Sequence, residues 1–256
     1  VRTIPIFDPA AGAGNWRMRQ SAARAASLES GGVNYPHAAQ QRYEVSAKAT
    51  RLLLVRHGAA AVAPLGGEPI AILDGFNDPP LAEEGHEQAA AVGARLALDP
   101  PDRIFVSGLA RTVETAAPLA RATGIAPVEV PELREVQLGE WDHQYPHKMA
   151  SRDPLVERIE AEQRWDVIPG AEPAADFTAR VRTGIDRVIE ATGPGATAAV
   201  FVHGGVISEL ISIATGSRPL AFLFCDNTSV NDLVKLRGDR WMLRSFNDTK
   251  HLDPTG

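Results

Sequence analysis

The chain has 256 residues, 44% hydrophobic and 23% charged, enough to bury one sizeable core, and no apolar run in it nears the ~18 residues of a membrane span. The lone Cys225 excludes an internal disulfide or a multi-cysteine metal site; with no continuous apolar stretch at the first residues, this predicts a protein of the reducing cytoplasm without a membrane partner. A net charge of −6 argues against general nucleic-acid binding, which needs a basic face, so any anion specificity must come from a local site.

Residues 1–50 hold six basic side chains against three acidic ones, which leaves −9 on the remainder. Up to about Lys48 the apolar residues follow neither period 2 nor period 3.6, so a disordered extension is expected over residues 1–48. Two readings of it stand open: a native start further downstream, with Val45 as initiation site, or a basic arm for a partner or anionic surface.

A folded domain is expected over residues 49–252, where short branched apolar runs alternate with helical patterns. Leu52 to Val55 reads as a buried strand. Gly85 to Leu98 reads as a helix, with Ala89, Val92 and Leu96 on one face, Glu83, Glu84 and Glu87 near its positive end, and Pro100-Pro101 behind it. Ile104 to Ser107 is a second strand, Arg111 to Thr123 a helix closed by Gly124, and Val128 to Val130 a third strand. Asp176 to Ala191 carries the buried stripe Phe177, Val181, Ile185, Val188. Ala198 to Val202 is a strand followed by a helix over Gly205 to Ala214, and Asp232 to Leu236 with Trp241 to Phe246 form a hairpin through Gly238. The pattern predicts an α/β fold, a three-layer sandwich with a mostly parallel central sheet flanked by helices.

Three strands end in polar residues: Arg56-His57, Ser107 and His203. In open α/β sheets ligands sit beyond the carboxyl ends of the strands, so these side chains can converge. Gly58 follows His57 and Gly204-Gly205 follow His203, positions where the backbone can turn sharply and offer N–H groups to an anion. That is a phosphate pocket in outline. His143 and His147 have a helical metal-ligand spacing, but Pro146 interrupts the helix such a pair needs, so a solvated loop is expected and no metal is assigned. Trp165 reads as a packed lid or core residue, and Cys225 as a small buried one.

The run Leu52-Leu53-Leu54-Val55-Arg56-His57-Gly58 resembles the strand and Arg-His-Gly signature of the histidine phosphatase superfamily, the phosphoglycerate mutase-like proteins. Further blocks follow in the family's order: Asp78-Pro79-Pro80-Leu81-Ala82-Glu83-Glu84-Gly85, then Ser107-Gly108-Leu109-Ala110-Arg111-Thr112-Val113-Glu114-Thr115-Ala116. Leu133-Arg134-Glu135 with Gly139-Glu140-Trp141-Asp142 resembles the block carrying the acid, and Val202-His203-Gly204-Gly205-Val206-Ile207 the second histidine motif.

The resemblance implies a metal-independent phosphomonoester hydrolase that needs no cofactor and acts on a small phosphorylated metabolite. His57 would be the nucleophile, Glu135 the acid and then the base, and Arg56, Arg111, His203 and the Gly204 N–H the phosphate clamp. Where many members carry Glu or Gln, Thr or Ser, and a little further on an Asn, this chain has Ala59, Ala60 and Ala63, so one phosphate contact is missing and the neighbouring surface is more apolar. Two alternatives remain: a phosphoglycerate mutase-type transfer, disfavoured by the 67 residues between Glu135 and His203, and a non-catalytic phosphate-binding regulator. No Gly-Lys-Ser or Gly-Lys-Thr is present, which excludes a P-loop. A homodimer is compatible with the sequence, which does not fix the oligomeric state.

Overall fold

The structure is a computed structural model describing residues 46–253; apart from residues 46–48, the extension expected at the amino terminus lies outside them. Six strands form one sheet in the order β5-β4-β6-β1-β7-β8: β1 Thr50–Arg56, β4 Arg103–Val106, β5 Val128–Glu129, β6 Thr197–Val202, β7 Val230–Lys235 and β8 Trp241–Asp248. A two-residue pair, β2 Ile72–Leu73 and β3 Phe76–Asn77, stands apart. Strands β5, β4, β6 and β1 run parallel, and β7 joins β1 antiparallel to open the carboxyl-terminal hairpin with β8.

Both faces of the sheet are apolar because its central strands are covered on both sides. On β1, Leu52 and Leu54 enter one core while Leu53 and Val55 enter the other. Helices α1 Glu83–Ala97 and α2 Ala110–Thr123 cover the second, through Val92, Leu96, Ala116 and Leu119. Helices α5 Ala174–Thr192 and α6 Gly204–Thr215 cover the first, with Phe177, Val181, Ile185 and Val188 forming the stripe expected of them. The result is the three-layer α/β arrangement anticipated from the sequence.

The stretch after the acid block departs from expectation. Tyr145–Ala150 is a helix, α3, where a loop was expected around Pro146, and Leu155–Glu162 forms a further helix, α4. Proline breaks a helix interior, but Pro146 lies in the first turn, where its missing N–H has no intrahelical partner to lose. Among the described residues no helix is long and apolar enough to cross a membrane.

Candidate active site

Parallel pairing of β1 with β6 sets Arg56 opposite Val202, so His57 and His203, each one residue further on, emerge side by side at the carboxyl edge of the sheet. Their ring centroids lie 5.2 Å apart. From the neighbouring β4, Ser107 follows Val106 and reaches His203 Nε2 with its Oγ at 2.8 Å.

Hydrogen-bond direction fixes both tautomers. His57 Nδ1 lies 2.7 Å from the Gly58 carbonyl, which can only accept, so Nδ1 carries the proton and Nε2 keeps a free lone pair. Around His203 the Thr112 hydroxyl donates to the Leu109 carbonyl at 2.8 Å, Ser107 Oγ then donates to Thr112 Oγ1 at 3.0 Å, and His203 Nε2–H donates to Ser107. His203 Nδ1 is buried without a partner among the described residues. Burial first, then the charges of Arg111 and Arg56, hold the His57 pKa well below its ordinary 6.5. Burial and then Arg111 do the same for His203. Both rings are therefore neutral near pH 7.

Arg56 donates through Nη1 to the Cys225 carbonyl, while its buried Nε has no partner among the described residues. That Nε lies 3.7 Å from the point where a Cβ on Gly204 would sit, beside the amino-terminal end of α6. Arg111 enters from the first turn of α2, buried, with Nη1 on the Asn77 carbonyl at 2.9 Å. Glu135 completes the group: Oε1 accepts the Val136 N–H at 3.0 Å and Oε2 the Gly205 N–H at 3.2 Å. A Cβ on Gly205 would come within 2.5 Å of Glu135 Oε1, so glycine there makes room for the carboxylate.

Gly58 does something other than the sequence reading expected. Its N–H is taken by Thr115 Oγ1 at 3.0 Å and is not offered to an anion. A Cβ on Gly58 would meet the Gly85 carbonyl at 2.6 Å, and one on Gly85 the Ala59 carbonyl at 2.0 Å. These two glycines let the start of α1 press against the loop that follows His57.

Arg56, His57, Arg111, Glu135 and Gly204 line one cavity of about 670 Å³. Its further wall comes from Tyr145, in the stretch expected near the site, and from Asn77, Trp141 and Phe224, together with Trp165, which is both buried and on the cavity. Asn227, also on the wall, donates from Nδ2 to the His57 carbonyl at 2.9 Å. Burial, and next the charge of Glu135, push the Tyr145 hydroxyl up to about 12, which keeps it a neutral donor. The His143–His147 pair does not converge on a metal, since His147 Nε2 bonds to the Ala63 carbonyl at 3.1 Å. Among the described residues no three His, Cys, Asp or Glu side chains gather as a metal site requires.

A profile of the histidine phosphatase superfamily (branch 1) matches residues 52–249. A metal-independent phosphoserine phosphatase of Arabidopsis thaliana is 29% identical over 217 residues, covering 83% of this chain and 87% of the relative. Phosphoglycerate mutase-like protein 4 of the same plant is 31% identical over 72% of this chain and 81% of its own length. In fold, the mycobacterial glucosyl-3-phosphoglycerate phosphatase superposes with a TM-score of 0.63 at 24% identity, over 78% of this chain and 99% of that one.

Proposed function

This chain belongs to the histidine phosphatase superfamily, and from that premise we propose that it hydrolyses small phosphomonoesters through a phosphohistidine on His57 Nε2. The observation that carries the reading is a pair of buried polar atoms, Arg56 Nε and His203 Nδ1, left without partners among the described residues beside a nitrogen lone pair. Buried polar groups are normally satisfied, so two at one edge of a sheet call for a polar ligand. A phosphoryl group meets both once His203 takes a proton on Nδ1, a form that the negative charge favours, because its oxygens then accept from Arg56 Nε and His203 Nδ1–H alike.

In this reading the Nε2 lone pair of His57 attacks phosphorus while the ester P–O bond breaks. The proton stays on Nδ1, held by the Gly58 carbonyl, and the charge that develops on the ring is opposed by the phosphoryl oxygens. Arg56 and Arg111 bind those oxygens, and the Gly204 N–H adds a donor at the helix start. Glu135, protonated, gives its proton to the leaving alkoxide, and the alcohol departs. As carboxylate it then takes a proton from water, whose oxygen attacks phosphorus and breaks the N–P bond, releasing phosphate and restoring Glu135. The small-molecule ester is the partner this requires, and the cytoplasm, read from the single cysteine, is the proposed location.

Phosphate release from a panel of esters, with chelator present, tests the reading. Wild-type turnover lost by more than about 10³-fold in His57→Ala supports it. No release from any ester, or release untouched by the substitution, contradicts it. Relatives named for phosphoglycerate mutase make phosphoryl transfer the second reading, and an assay for isomerisation of phosphoglycerate separates the two.

A further inference from the structure

Resting on the hydrolase reading, we propose that the leaving group of the substrate is an uncharged, largely apolar alcohol, so that the phosphoryl group is the only anion the enzyme recognises. At about 670 Å³ the cavity holds far more than a phosphoryl group. Beyond the clamp its wall is built from Val62, Ile70, Phe76, Trp141, Trp165 and Phe224. Val62, Ile70 and Phe224 are 54%, 46% and 71% exposed, and large apolar side chains held open at the mouth of one cavity mark a binding surface. The alanines from Ala59 to Ala61, with Ala63, extend the same wall from the loop after His57.

Charge points the same way. Arg56 and Arg111 are the only Lys or Arg among the described lining residues, and the clamp uses both. The other charged side chains there are acidic: Glu135, Asp142 and Asp226, with His143 set against Asp142. Arg134 and Arg180 lie over the Phe76 ring at 5.3 and 5.8 Å but outside the lining: Arg180 is held by Glu172, and Arg134 pairs with the exposed Asp74 while its buried Nε has no partner among the described residues. A carboxylate or second phosphate on the leaving group would lose its water against an apolar wall, find no cation beyond the clamp among the described lining residues, and face the like charge of Asp142 and Asp226. The phosphoserine named for the Arabidopsis relative carries a carboxylate, so the substrate proposed here differs from it. An apolar leaving group gains with every methylene it buries.

The test uses the full chain, chelator, and alkyl phosphates whose leaving groups are equally basic: methyl, butyl and hexyl phosphate, and the hexyl ester ending in a carboxylate. The expected result is a kcat/KM that climbs about fourfold per methylene, and a loss of about tenfold or more when the carboxylate is added. Phe224→Ser should flatten the climb. A flat series, a climb that Phe224→Ser leaves intact, or a carboxylated ester equal to or better than hexyl phosphate overturns the proposal. If that preference is reversed while His57→Ala still abolishes turnover, only the substrate class falls. If no ester is hydrolysed, or His57→Ala matches wild type, the hydrolase reading itself falls.

Discussion

Arg180 Nη2 donates to the backbone carbonyl of Glu135 at 2.9 Å. The same guanidinium donates to the carbonyls of Glu132 and Arg134 at 2.9 and 2.6 Å, and forms a two-pronged pair with Glu172 at 2.6 and 2.7 Å. One planar fork thus ties α5 to the turn that carries the proposed acid, and Glu172 closes the other side by donating its N–H to the Gln137 carbonyl at 2.9 Å. Lysine keeps the charge but cannot occupy three carbonyls and a carboxylate together.

Arg180→Lys should therefore lower kcat by about 10²-fold, as small misplacements of a reacting group do, with KM little changed. The loss should be large for alkyl phosphates, whose alkoxide needs a proton. With an aryl phosphate the acidic phenol leaves without one, so the first-turnover burst of phenol should be little changed, while steady-state turnover, which still needs Glu135 as the base for water, should fall. Equal losses in the alkyl rate and in the aryl burst would assign Arg180 a general structural role.

Glycine substitutions separate site from scaffold. Gly205→Ala places a methyl 2.5 Å from Glu135 Oε1 and should cut alkyl phosphate turnover by about 10²-fold while leaving the protein folded, since a side-chain carboxylate can yield. Gly85→Ala drives a methyl to 2.0 Å from a backbone carbonyl, which cannot yield without moving α1. It should cost about 1–3 kcal/mol in urea unfolding, with the activity loss following from the displaced loop.

The two histidines also predict pH behaviour. With pKa values well below 6.5 in the native chain, the acid limb of kcat/KM, corrected for titration of the substrate, should lie below pH 6.5. Below about pH 6.5 the unfolded chain binds more protons at these residues than the native one, so native stability falls with pH through that window. Melting temperatures between neutral pH and pH 5 should drop less steeply in His203→Asn. Added inorganic phosphate should restore part of the wild-type loss, because a dianion favours the charged form of His203. A slope identical in variant and wild type would remove His203 from this account.

Much of this was legible in the sequence because the chemistry stands at strand ends. The branched run Leu52 to Val55 and the stripe from Phe177 to Val188 have the period of their elements, and the parallel sheet brings Arg56, His57 and His203 together. What could not be read depends on partners distant in the chain. Arg180 sits between Phe177 and Val181 on a helix that any amphipathic pattern explains, and only tertiary contact reveals the carbonyls it holds. Pro146 looked like a helix breaker because its position within the turn, and not its identity, decides its effect. The apolar wall draws Val62, Trp165 and Phe224 from three separate loops or turns, a grouping that no local period signals.

The most direct test of the central claim is rapid acid-free quenching of the full chain during turnover, followed by peptide mass spectrometry. The account predicts an acid-labile phosphoryl increment on the peptide bearing His57, absent in His57→Ala and accumulating in Glu135→Gln with an aryl phosphate, where release of phenol outruns attack by water. Turnover with no labelled histidine, or a label on a residue other than His57, would contradict it.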